Sequence, residues 1–123
     1  AGFSSATPWL PVYENHIPMA VDIQDKDPNS ILNFVRDLIK WRKDIPEFIE
    51  GTIEFIDTAE PILAFKRGDK IYCYFNLGDQ VETINIPSNL KLLKAVNCDG
   101  TPNEETLTLP AFGGAFFEGL QFT

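Results

Sequence analysis

From Thr52 onward the chain is cut into short β-prone runs, and nothing else in it restricts the fold as much. The runs are Thr52 to Ile56, Ile62 to Arg67, Lys70 to Asn76, Val81 to Ile86, Leu92 to Asn97, Glu105 to Leu109 and Gly114 to Leu120, parted by turn-forming Gly, Pro, Asn and Asp. Strands of this length at this spacing form antiparallel sandwiches. Gly68-Asp69, between Arg67 and Lys70, suits a two-residue hairpin turn with Gly first. That register predicts Phe65 opposite Tyr72, Leu63 opposite Tyr74, Ala64 opposite Cys73 and Ile62 opposite Phe75. Both faces of the hairpin are then apolar, whereas a strand with one wet face alternates. One face fills the sandwich and the other needs a cover.

The first half reads differently. Residues 1 to 26 contain Gly2, Pro8, Pro11 and Pro18 and no sustained apolar period, which predicts irregular structure anchored by Phe3, Trp9, Leu10 and Val12. A helix is predicted over Pro28 to Lys43. Asp27 is placed to cap its first amides, Pro28 suits the first position, and Ser30 falls in the first turn. Lys40, Arg42 and Lys43 complement the C-terminal dipole, and Pro46 ends the segment. Ile31, Leu32, Phe34, Val35, Leu38, Ile39 and Trp41 spread over roughly 180°, wider than the ~100° stripe of a simple surface helix. Such a helix needs covering on more than one side. Arg42 projects near the middle of that arc and reads as a structural residue of the last turn.

Ten Lys plus Arg against eighteen Asp plus Glu leave a formal charge of -8, which argues against nucleic acid and anionic membrane as partners. No apolar run reaches the ~18 residues of a membrane span. Cys73 and Cys98 are too few and too far apart for a zinc knuckle and, with His16 as the one histidine, no metal site is expected. Both cysteines read as free thiols. Opening on Ala1 rather than Met, the chain reads as an excerpt.

Catalytic chemistry is hard to place. Glu47, Glu50, Glu54, Asp57 and Glu60 are the densest carboxylates, yet a glycosidase pair needs two carboxyls ~5 to 10 Å apart across a cleft, and their spacing implies only a solvated acidic edge. His16, Ser4, Ser5 and Ser30 stand in no nucleophile motif. Gly113-Gly114 precedes a strand, not a helix, and reads as a turn or bulge rather than a phosphate loop. The row Phe65, Tyr72 and Tyr74 offers an aromatic platform for a sugar, or a surface for another protein layer. Trp9, between Pro8 and Leu10, either lines a ligand pocket or anchors its loop.

Taken in order, GFSSATPWLPV (Gly2 to Val12), MAVDIQDKDPNSIL (Met19 to Leu32), FVRDLIKWRKDIPEFIEG (Phe34 to Gly51), PILAFKR and YCYFNLGD resemble the C-terminal end of bacterial α-glucosidases of the α-amylase superfamily, family 13 of the glycoside hydrolases. The resemblance spans essentially the whole chain. Its specific parts are Pro8-Trp9-Leu10-Pro11-Val12, Asp27-Pro28-Asn29-Ser30 and Trp41-Arg42-Lys43. Tyr13 to His16 depart from the commonest family pattern, which has an Asn-rich run there.

The resemblance implies a mainly β chain with one long α-helix, an antiparallel, Greek-key-like β-sandwich preceded by the terminal loop and last helix of a (β/α)8 barrel. Residues 1 to 50 would belong to that barrel and 51 to 123 to the C-terminal domain. A whole barrel takes ~250 residues. The family's Asp nucleophile, Glu acid/base and stabilising Asp, which act by retaining double displacement, would all precede Ala1. The resemblance thus implies no catalytic residue, no cofactor and no metal in this chain, and leaves Trp9, Phe65, Tyr72 and Tyr74 as substrate-contact candidates. It implies a non-catalytic portion that stabilises a barrel acting on α-glucosidic bonds of short oligosaccharides in the cytoplasm. Its partners would be that barrel and, for the whole enzyme, an α-linked oligosaccharide; the isolated piece would self-associate through uncovered apolar faces. The alternatives are a carbohydrate-binding or a protein-interaction β-sandwich module.

Overall fold

Each of the β-prone runs is a strand in the computed structural model, which describes residues 4–119. Gly2 and the expected anchor Phe3 lie outside the described residues, as does Leu120, the expected end of the last strand. The strands are β1 (Ile53–Ile56), β2 (Ile62–Arg67), β3 (Ile71–Asn76), β4 (Glu82–Asn85), β5 (Leu90–Val96), β6 (Thr106–Leu109) and β7 (Gly114–Gly119). They form an antiparallel five-stranded sheet in the order β1-β2-β3-β7-β5 and a two-stranded sheet of β4 and β6. Alternation sends Ile62, Ala64, Tyr74, Ala115 and Phe117 inward, where they meet Ile86, Leu107 and Leu109. Leu107, Leu109, Ala115 and Phe117 are fully sealed from solvent. The apolar area they remove from water is what holds the two sheets together.

The β2–β3 hairpin departs from expectation by one residue. Phe65 pairs with Cys73, Ala64 with Tyr74, Leu63 with Phe75 and Lys66 with Tyr72. The connection is the three-residue turn Gly68 to Lys70, not Gly68-Asp69, with Gly68 at φ +55°. Within that turn Lys70 pairs with two carboxylates, Glu47 at 3.2 Å and Glu118 at 3.1 Å. The expected pairs Phe65–Tyr72, Leu63–Tyr74, Ala64–Cys73 and Ile62–Phe75 therefore do not form.

On the outer face of the same sheet the phenylalanines touch in series. Ring centroids are 6.2 Å apart for Phe55 and Phe65, 5.9 Å for Phe65 and Phe75, 5.3 Å for Phe75 and Phe116, and 5.8 Å for Phe116 and Phe48. These are the separations of favourable stacked and edge-to-face pairs. Gly114 makes room for them, since a Cβ there would meet the Phe75 ring at 2.7 Å. Phe55, at the end of the series, is 69% exposed.

Contacts divide the chain into two compact units, the first ending at Ile45 and the second starting at Pro46. In the first, α1 (Val21–Gln24) and α2 (Ile31–Lys43) follow a 3-10 turn over Glu14–Met19. Part of the stretch expected to be irregular is thus helical, held by polar contacts that no apolar period signals. Gln24 donates its side-chain amide to Met19 O (2.6 Å) and accepts from Leu32 N (3.1 Å). Asn33 Nδ2 donates to the carbonyls of Gln24 and Asp27, and Arg36 pairs with Asp25.

α2 starts three residues later than expected. Ser30, not Asp27, is its N-cap, with Oγ accepting from Asn33 N at 3.2 Å. Asp27 accepts from Asn29 N at 2.9 Å instead, an Asx turn that carries the chain through Pro28 before the helix begins. Ile31, Phe34, Val35 and Ile39 of the wide apolar arc are exposed, while Leu32, Leu38 and Trp41 are half-buried. Arg42 is exposed in the last turn.

Candidate functional site

Strand register decides which candidate residues meet. Glu54, Lys66 and Tyr72 are consecutive partners across β1, β2 and β3, and Ile56, Ala64 and Tyr74 form the next row on the same inner face. Phe65 lies between these rows in sequence and so points to the opposite face. The three-residue platform of Phe65, Tyr72 and Tyr74 does not exist, because the one-residue change in the hairpin separates Phe65 from both tyrosines. What remains is an inward pair, Tyr72 and Tyr74.

These two tyrosines line a cleft of about 280 Å³ together with Glu54, Ile56, Lys66, Asn85 and Pro87. Lys66 Nζ stands 3.3 Å from Glu54 Oε2. Tyr74 is 2% exposed, and burial pushes its hydroxyl up to about 12. It is a proton donor at any physiological pH and not a base. The partners of Tyr72 were not evident beforehand. Their signal was parity: once β1 is set against β2, Glu54 and Lys66 must share a face with Tyr72.

Trp9 is 91% exposed. With Ser4, Pro8, Leu10, Pro11 and Val12 it surrounds a cleft of about 370 Å³ in the first unit. That lining holds one hydroxyl and no titratable side chain, so it can stack or shape a ligand but not transfer protons to it.

Two of the five dense carboxylates stand in ion pairs. Glu47 pairs with Lys70 and Glu54 with Lys66. Glu47 is held below its ordinary range, first by its own backbone amide, against a smaller upward push from burial, with Lys70 adding to the lowering. That is opposite to the raised value a catalytic acid needs. Among the described residues no three His, Cys, Asp or Glu side chains gather where a metal ion could be held. His16 packs its ring edge-on against Tyr13, with centroids 5.7 Å apart. Cys73 is buried and unpaired, its thiol pushed up to about 12 by burial, against the opposing charge of Arg67. Cys98, half-buried and also unpaired, donates to Gly114 O at 3.3 Å. No described helix is long and apolar enough to cross a membrane.

No family model matches the chain. A probable α-glucosidase of Rhizobium meliloti is 41% identical over 97% of this chain and 22% of its own length. An oligo-1,6-glucosidase of Parageobacillus thermoglucosidasius is 28% identical over 73% of this chain and 17% of its own length. The chain therefore spans about a fifth of the length of these relatives. Among solved structures, an α-glucosyl transfer enzyme matches at a TM-score of 0.85 with 32% identity, over 97% of this chain and 23% of that one. An isomaltulose synthase variant from Erwinia rhapontici NX5 matches at 0.81 with 26% identity, over 98% and 23%. Similarity that runs through nearly the whole chain in both sequence and backbone leads to one assignment: the chain belongs to the α-amylase superfamily, glycoside hydrolase family 13, and carries the antiparallel β-sandwich of the C-terminal domain of those enzymes.

Proposed function

We propose that this chain is the non-catalytic C-terminal portion of a retaining glycoside hydrolase that cleaves α-glucosidic bonds of short oligosaccharides, and that it stabilises the barrel of that enzyme. The observation that carries this reading is the outer phenylalanine series, which ends in Phe55 at 69% exposure beside Ile53 at 52%. An apolar row of this kind is a surface built to be covered, and the rest of a polypeptide about four to five times longer, as in the relatives, is the cover at hand. In this reading residues 1 to 50 supply the last loop and helix of the barrel, with Trp9 at the rim of the substrate site, and residues 51 to 123 form the supporting domain. The carboxylates engaged in structural ion pairs support leaving the proton transfers to residues elsewhere in the enzyme. The unpaired thiols of Cys73 and Cys98 fit the reducing cytoplasm. Without the barrel, the exposed Phe55, Ile53 and Ile31 favour self-association.

The test is made in the longer polypeptide that carries this chain. Phe55→Asp is expected to lower its melting temperature by several degrees while the folded fraction keeps its kcat/KM on an α-glucoside. Replacing Glu47, Glu50, Glu54, Asp57 and Glu60 one at a time by the amide is expected to leave kcat within about twofold. A loss of about a hundredfold or more in kcat from any one of them would place catalysis inside this chain and end the proposal.

A further inference from the structure

The cleft on the inner face of β1, β2 and β3 has a chemistry that the stabilising role does not use. Two tyrosine rings, Ile56 and Pro87 give it apolar walls, and Asn85 at the end of β4 lines it together with the Glu54–Lys66 pair. No described protein group is hydrogen-bonded to the hydroxyl of Tyr72 or Tyr74. For Tyr74, at 2% exposure, that is an expensive arrangement unless a polar group in the cleft meets the hydroxyl. Arg67 Nε is the one buried side-chain nitrogen or oxygen among the described residues that is both sealed and unpaired. The Tyr74 hydroxyl is therefore not fully sealed, and the residue lines the cleft.

Three properties narrow the occupant. Glu54 and Lys66 cancel each other's charge, so the cleft favours a neutral molecule over an ion. Lys66 donates, Glu54 accepts, and the tyrosine hydroxyls and the Asn85 amide do both; a set of groups that are each donor and acceptor at once, as alcohols are, matches it. The size, about 280 Å³, lies just under the ~300 Å³ where small-molecule pockets begin, enough for one ring. A neutral pyranose meets all three conditions, with C–H faces for the tyrosine rings and hydroxyls for the polar rim.

We infer that the cleft bounded by Tyr72, Tyr74, Lys66, Glu54 and Asn85 is a binding site for one neutral monosaccharide ring. Lys66 and Glu54 take adjacent ring hydroxyls, Asn85 closes the far side, and Tyr72 supplies the stacking face. The site needs no residue of the first unit, so it stands or falls independently of the role proposed above.

The experiment is a titration of the chain, 13C-labelled at tyrosine, with methyl α-D-glucopyranoside up to about 100 mM, read by NMR. Saturable ring shifts at Tyr72 and Tyr74 are expected, with a dissociation constant on the order of 1–10 mM. Tyr72→Ala is expected to weaken binding by about tenfold, and Asn85→Ala, a substitution at an exposed position, by about threefold. The Tyr74 ring resonance reports in each variant that the core is intact. D-Sorbitol, which has the hydroxyls without the ring, is expected not to saturate. No saturable shift at either tyrosine overturns the inference. So does binding that survives both substitutions, and so does sorbitol binding as well as the glucoside.

Discussion

The Asn76 side-chain amide donates to the main-chain carbonyl of Leu109 at 3.2 Å, tying the end of β3 in the large sheet to the end of β6 in the small one. The same nitrogen donates to Gln80 O at 2.7 Å and Pro110 O at 3.0 Å, and Oδ1 accepts from Gly78 N at 2.9 Å. At 1% exposure, the Asn76 amide has no water to fall back on.

Asn76→Ala is expected to cost about 3 kcal/mol, because the buried carbonyl of Leu109 loses its donor and several bonds are lost at once. The midpoint of urea unfolding measures it. Asn76→Asp adds a pH signature. Its carboxylate would face carbonyl oxygens, which raises the folded pKa above the unfolded one. Stability should be best at acid pH, where the protonated group can donate, and fall as the pH rises through the unfolded value. A variant whose deficit relative to wild type shrinks with rising pH would contradict this.

Lys70 and its two carboxylates predict a dependence on pH at both ends. Glu47 is held below 4.5, so its contribution is present above that value and is lost as the pH falls through its lower folded pKa. Lys70 is raised above 10.5, chiefly by Glu118 and then by Glu47, so its contribution is present below 10.5 and is lost as the pH rises through its higher folded value. Lys70→Met should remove this alkaline limb from the curve of unfolding midpoint against pH and reduce the acid limb only in part, since the backbone amide of Glu47 still holds its carboxyl down. An unchanged alkaline limb would show that Lys70 contributes nothing there.

Ser30→Ala should weaken α2. It removes the acceptor for Asn33 N and the 2.7 Å bond from Ser30 Oγ to Gln24 O, for about 1 kcal/mol by the usual worth of a cap. Far-UV circular dichroism through a thermal scan is the measurement. Asp27→Ala, at the position that sequence alone favours, should cost less.

The two thiols should differ sharply in reactivity. Cys73 is sealed and its thiol is pushed up to about 12, so almost none of it is thiolate at neutral pH. A thiol reagent under native conditions is expected to modify Cys98 and leave Cys73 intact until denaturant is added. Mass spectrometry of the labelled peptides decides it.

Much of this structure is legible in the sequence where the signal is local. The strand runs, the helix end at Lys43 and the apolar character of both hairpin faces follow from alternation and turn residues. What escaped depends on partners far along the chain. Nothing beside Lys70 says that it will join the turn and pair there with Glu47 and Glu118, and that one-residue difference decides whether Phe65 faces the tyrosines. Ser30 displaced Asp27 as the cap because Gln24 and Asn33 lock the approach to the helix. In the cleft, Tyr72 and Tyr74 were visible as candidates. Glu54, Lys66 and Asn85 were not, since only the paired sheets bring them together.

The three-residue turn from Gly68 to Lys70 also limits how the gene can change. Tyr72 and Phe117 are register partners across β3 and β7, so β3 is held from its other side and cannot slide to absorb an altered turn. Adding or deleting one codon there would set odd positions of one strand against even positions of the other and bring the phenylalanine and tyrosine faces into conflict. Length at this turn is thus an inherited constant, and natural variation in chain length belongs in the other connections of the sandwich.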